Sequence, residues 1–73
     1  MSDTSAALRI SLNGEPRVLA TGLNVATLLD DLGLDRRKVA VERNEAIVPR
    51  STYDKTAIED GDRFEIVHFI GGG

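Results

Sequence analysis

Cysteine is absent from these 73 residues, and histidine occurs once, as His68. Without thiols there are no disulfide staples, thiolate nucleophiles or cysteine-based zinc sites. One imidazole cannot form a histidine cluster for a metal, and nucleophilic catalysis would rest on a lone ring set among strand residues. His68 is therefore read as a strand residue with local hydrogen bonds. The expectation is a protein that is not an enzyme, with no bound cofactor and no metal. Aromatic residues make up 4% of the chain, and Phe64 and Phe69 are its two phenylalanines. Valine, isoleucine and leucine must carry the packing.

Basic runs are scarce. The formal charge is -3, and Arg36-Arg37-Lys38 is the longest basic stretch. Phosphate backbones are bound through clustered cations, so a nucleic-acid partner is not expected, and the basic run reads as a solvated loop. Apolar runs are too short to span a bilayer, and Met1–Ala7 lacks the basic and apolar regions of a secretory signal. A cytoplasmic protein with no membrane partner is expected.

What is present fits one small domain. A chain of this length buries only about 60% of the surface its unfolded form exposes, so the core must be economical. Residues 1–7 are polar and patternless, a flexible N-terminal extension, and the folded domain is expected over residues 8–70. Leu8, Ile10 and Leu12 alternate with Arg9 and Ser11 as in a half-buried strand, and Asn13-Gly14 signals a tight hairpin into Glu15–Ala20. Pro16 has no N–H for a ladder, which places this second strand at a sheet edge.

Asn24 is a helix N-cap. Val25, Leu28, Leu29 and Leu32 share a helical face, and Gly33 ends the helix. Asp30 and Asp31 oppose the helix dipole in the last turn; the bland account is a solvated end screened by Arg36 or Arg37, the other a partner contact. Lys38–Arg43 alternates as a third strand, Asn44-Glu45 turns the chain, and Ala46–Val48 is a short fourth strand stopped by Pro49. Ser51–Thr56 is a connecting turn or short helix with Tyr53 packed against the sheet. After the turn Glu59-Asp60-Gly61-Asp62, Arg63–Phe69 forms the last strand. There Phe64 and Ile66 share one face, Val67 and Phe69 the other.

Strand, strand, helix and three strands in this length predict an α+β layer: a mixed sheet of four to five strands with one main helix packed across it. The β-grasp topology satisfies this order, with the first and last strands parallel at the centre. The chain then runs into Gly71-Gly72-Gly73. Lacking Cβ atoms, these glycines form a flexible tail that can enter a tunnel closed to other residues. The bland reading is a solvated tail with no task. The functional one is that the tail delivers a carboxylate into another protein's active site, and no structural need explains glycines at this point. A free carboxylate is a poor acyl donor and needs activation, most simply as an acyl-adenylate. With no cysteine in the chain, any sulfur it carries must sit on Gly73.

Several segments, taken in order, carry a resemblance: Asn13-Gly14-Glu15, Asn24-Val25, Leu28-Leu29, Val39-Ala40-Val41-Glu42-Arg43-Asn44, Ile47-Val48-Pro49-Arg50, Asp60-Gly61-Asp62, and Val67-His68-Phe69-Ile70-Gly71-Gly72-Gly73. From Ile10 to Gly73 the chain resembles the ThiS family of thiamine-biosynthesis sulfur carriers. The resemblance implies a ubiquitin-like β-grasp fold. It also implies adenylation of Gly73 by a ThiF-like enzyme, thiocarboxylate formation, and sulfur donation to the thiazole synthase ThiG, which builds the thiazole phosphate from a deoxyxylulose phosphate. ATP and magnesium would belong to the activating enzyme, and the free carrier would be monomeric. The family's Gly-Gly end maps to Gly72 and Gly73, with Gly71 as added reach. Val67, Phe69 and Ile70 are candidates for the partner surface, being too apolar for a solvated strand end. Three other readings stay open: a carrier like the small subunit of molybdopterin synthase, a ubiquitin-like modifier joined to lysines, and an interaction domain with an incidental tail.

Overall fold

Asn13 and Gly14 both adopt positive φ, 51° and 84°, as a two-residue loop between right-twisted strands requires. They join β1 (Ala7–Leu12) to β2 (Glu15–Ala20) in an antiparallel register running from Leu12 opposite Glu15 to Ala7 opposite Ala20. This computed structural model describes residues 7–69, and β1 begins one residue before the expected Leu8.

The helix α1 (Val25–Asp31) is fixed at both ends by side-chain and backbone chemistry. Asn24 Oδ1 accepts from the Thr27 N–H at 2.8 Å, and Thr27 Oγ1 accepts from the Asn24 N–H at 2.9 Å. This reciprocal box satisfies two donors that a helix start leaves open. At the other end Gly33 takes φ 73°. The Leu34 N–H reaches the Leu29 carbonyl at 2.9 Å and the Gly33 N–H that of Asp30 at 3.0 Å, a Schellman closure. Val25, Leu28 and Leu29 are buried as their spacing predicts, while Leu32 is the half-buried C-cap.

The screening of Asp30 and Asp31 by arginine is not what forms. Arg36 pairs with Asp54 at 3.3 Å and Arg37 with Asp35 at 3.1 Å, and both helix-end aspartates are exposed. The basic run is a 3-10 turn (Arg36–Lys38) capped by Asp35. The side-chain and backbone N–H donors of Arg37 hold the Asp35 carboxyl down to about 2.

Beyond the turn come β3 (Val39–Arg43), β4 (Ala46–Ile47), a 3-10 helix (Arg50–Lys55) and β5 (Arg63–His68). Lys38 and Val48, expected within strands, flank them instead; Val48 is buried and its N–H bonds the Val41 carbonyl at 2.9 Å. The five strands lie in the order β2-β1-β5-β3-β4, with β1 and β5 parallel and the other pairs antiparallel. The central parallel pair and the edge position of β2 are those expected from the β-grasp reading and from Pro16. Ile10, Leu12, Val39, Val41 and Phe64 of the sheet pack with Val25, Leu28 and Leu29 of α1 and with Val48, Tyr53 and Ile58. One sheet face is thus buried and the other left open.

Candidate functional site

β5 is where the fold and the expected tail meet. Its alternation sends Phe64, 1% exposed, into the core and leaves Val67 59% exposed on the open face. Val67 lies opposite Ala40 of β3. Phe69 is 51% exposed, and its N–H continues the ladder by donating to the Lys38 carbonyl at 2.8 Å. Of the candidate partner-surface residues, Val67 and Phe69 therefore stand together at the end of β5. Ile70 and the tail residues Gly71, Gly72 and Gly73 lie outside the described residues.

The open face has a definite pattern. Glu42 sits directly opposite Glu65, and Ile47 opposite Glu42, while Val18 lies opposite Arg9. Ile47 and Val18 are 69% and 68% exposed. Like charges facing each other across a ladder destabilise it. Among the described residues, neither Glu42 nor Glu65 has an ion-pair partner. Among the described residues two concavities are too small for an enclosed reaction chamber. The concavity lined by Ser11, Glu42, Arg63 and Glu65 holds about 160 Å³, and the groove along Leu12, Asn13, Leu32, Leu34, Ile66 and His68 about 240 Å³. Small-molecule pockets usually hold roughly 300–1,000 Å³. Among the described residues no group of three or more potential ligands is placed to hold a metal ion, and no helix is long and apolar enough to cross a membrane.

At the opposite end of the sheet polar groups are closely matched. Asp62, 5% exposed, accepts from Arg43 Nε at 2.8 Å, Asn44 Nδ2 at 3.1 Å and the Glu59 N–H at 2.9 Å. Burial pushes its carboxyl up, but the Arg43 guanidinium and the other two donors outweigh this and hold it below the usual range. The sequence reading treated Asp62 as a turn residue. Its role as a hub depends on Arg43 and Asn44, far away in the chain, and no local signal marks it. Asn13 was missed in the same way. Beyond turning the hairpin, its side chain accepts from the Ile66 N–H at 2.8 Å and donates to the Ile66 carbonyl at 3.3 Å.

Comparison with known proteins places this architecture. The ThiS family profile matches residues 10–73. The chain belongs to the ThiS family. A crystal structure of the thiamine biosynthesis protein ThiS from Geobacter metallireducens superposes with a TM-score of 0.78 at 36% identity, covering 90% of this chain and all of that one. The fold is accordingly the ubiquitin-like β-grasp of ThiS. The sulfur carrier protein ThiS of Bacillus subtilis is 41% identical over 49 residues, 67% of this chain and 74% of that protein. A thiazole synthase of Paramagnetospirillum magneticum is 53% identical over 66 residues, which are 90% of this chain and 20% of the enzyme. The chain thus spans about a fifth of the length of that thiazole synthase.

Proposed function

We propose that this chain is the sulfur carrier for thiazole formation in thiamine biosynthesis, a co-substrate of partner enzymes and itself no catalyst. The Gly73 carboxylate attacks the α-phosphorus of ATP on a ThiF-like enzyme, forming an acyl-adenylate and releasing pyrophosphate. A hydrosulfide-level donor then attacks the acyl carbon, the bond to the phosphate oxygen breaks, and AMP leaves. The product is a thiocarboxylate, which surrenders its sulfur to a ThiG-type thiazole synthase. ATP and magnesium act on the activating enzyme.

The observation that carries this reading is the occurrence of one sequence pattern in two settings. It forms most of a protein named sulfur carrier and a fifth of a protein named thiazole synthase. A carrier and the enzyme it serves need to meet, and a shared polypeptide is one way to hold them together. Val67 and Phe69 support the reading from the structural side, since apolar groups exposed beside the start of a tail suit a docking surface.

The test is thiazole synthesis in a purified system containing a ThiF-like enzyme, ATP, a sulfur donor and a thiazole synthase. The full chain should support product formation, and the chain lacking Gly72 and Gly73 should support none while keeping its melting temperature. Equal activity of the truncated chain would leave the tail incidental. Sulfur transfer to a pterin precursor without thiazole formation would favour the molybdopterin reading, and isopeptide conjugates on lysines the modifier reading.

A further inference from the structure

The last turn of the ladder along β5 is unfinished on one side. The Asn44 N–H bonds the Arg63 carbonyl at 2.7 Å and the Phe69 N–H bonds the Lys38 carbonyl at 2.8 Å. Odd-numbered residues of β5 therefore direct their backbone toward β3, and even-numbered residues toward β1. On the β1 side, Asp62 and Phe64 carbonyls accept from Ser11 and Asn13 N–H groups at 3.0 and 2.9 Å. There β1 ends and the hairpin carries the chain away into β2. At Ile66 the Asn13 side-chain amide stands in for a strand, offering one acceptor and one donor. At His68, the next position, the same alternation turns the backbone N–H and carbonyl away from β3, and outside the strand ladders no bond to either is made among the described residues. His68 lines a groove together with Leu32, Leu34 and Ile66.

We propose that this gap is a strand-addition site, in which an extended backbone segment of the thiazole synthase lies beside His68, bonds its N–H and carbonyl, and rests apolar side chains on Leu32 and Leu34. The inference rests on the carrier reading above and deepens it. An unpaired stretch of strand is a template for another chain, and strand addition supplies main-chain bonds while adjacent pockets select side chains. Asn13 fits this arrangement: it completes the ladder at Ile66 so that the opening begins at His68. Since β5 leads directly to the tail, a strand docked here grips the carrier beside the residues it presents.

Two variants separate backbone from side chain. His68→Pro removes an N–H that is turned away from β3 and places the ring in the gap. The bonds to β3 are made by neighbouring residues, so the fold should survive, as the melting temperature will show. His68→Ala keeps the N–H and removes the imidazole. With a ThiG-type thiazole synthase as probe, His68→Ala should bind like the parent chain and His68→Pro about tenfold or more weaker. Equal affinities for the two variants would overturn the proposal.

Amide hydrogen exchange on the unaltered chain gives a second reading that needs no variant. In the free chain the His68 amide should exchange faster than those of Val67 and Phe69, and in the complex it should slow by at least about tenfold. A complex that forms without slowing it also overturns strand addition. An unaltered chain that binds no thiazole synthase at all refutes the carrier reading itself, a different outcome from either of these.

Discussion

The two ends of the sheet are built on opposite plans. At the Asp62 end, a buried carboxylate gathers Arg43, Asn44 and the Glu59 N–H, while Asn44 Oδ1 also accepts from the Arg63 N–H at 2.9 Å. At the Phe69 end, Val67 and Phe69 are exposed and the His68 backbone is turned away from β3. Buried polar groups must be satisfied within the fold, whereas a docking surface keeps its apolar and hydrogen-bonding capacity for a partner. On the proposed carrier reading, the contrast separates stability from delivery. Substitutions at the first end should unfold the chain without touching transfer, and those at the second should stop transfer without unfolding it.

The largest effect on stability should come from beneath both ends. Phe64 fills the core where β1, β5 and α1 meet, so Phe64→Ala should lower stability by about 3–5 kcal/mol in denaturant unfolding. A smaller loss would mean that the core collapses into the gap. Next comes Asp62→Asn, which leaves Arg43, with its side chain 28% exposed, only its longer pair with Glu59 at 3.7 Å. Partial exposure of Arg43 lessens the usual penalty for breaking a buried pair, and a loss of about 2 kcal/mol is expected at neutral pH.

The same residue gives a pH test. Folding favours ionised Asp62, whose carboxyl lies below its ordinary value of 3.8. Its contribution is complete above the ordinary carboxylate range and is lost as pH falls from about 5 through the folded-state value. Melting temperatures between pH 7 and 2 should fall more steeply for the parent chain than for Asp62→Asn. Parallel curves would remove Asp62 from the account.

A smaller change of opposite sign is expected in the hairpin between β3 and β4. Glu45 holds φ 72°, a left-handed conformation that disfavours residues with a Cβ by roughly 1–2 kcal/mol. Its exposed pair with Arg63 offsets little of that. Glu45→Gly should therefore stabilise the chain by about 1 kcal/mol. At the tail end, Val67→Ser should change stability by no more than about 0.5 kcal/mol while weakening binding to thiazole synthase, which titration calorimetry would measure. A Val67→Ser chain that is strongly destabilised yet still binds would break the division between the two ends.

Local rules made much of the fold legible. Asn13-Gly14 needs two positive φ angles and takes them. The reciprocal cap at Asn24 and the closure at Gly33 bound a helix whose apolar stripe is audible in the sequence. Pro16 put β2 at the edge, and the order of elements, through the β-grasp topology, put the last strand beside the first at the sheet centre. What stayed hidden depends on distant partners. Asp62 looks like any turn aspartate until Arg43 and Asn44 arrive through the β3–β5 register. Asn13 bonds a residue 53 positions away. The pairing of Arg36 with Asp54 in place of the helix-end aspartates reflects where the second 3-10 helix packs, which no local pattern encodes. For the site, the sequence named Val67 and Phe69 but not the His68 backbone turned away from β3 between them, because that opening arises from where a neighbouring strand ends.

The central claim is that chemistry occurs at Gly73 and is delivered by the Phe69 end. The most direct measurement is the intact mass of the chain after incubation with ATP, a ThiF-like enzyme and a sulfur donor, followed by fragmentation to locate any change. The account predicts the mass gain of one oxygen replaced by sulfur, confined to Gly73, in the parent chain and in Glu45→Gly alike. No gain, with an activating enzyme that thiolates its own carrier in the same tube, would contradict it.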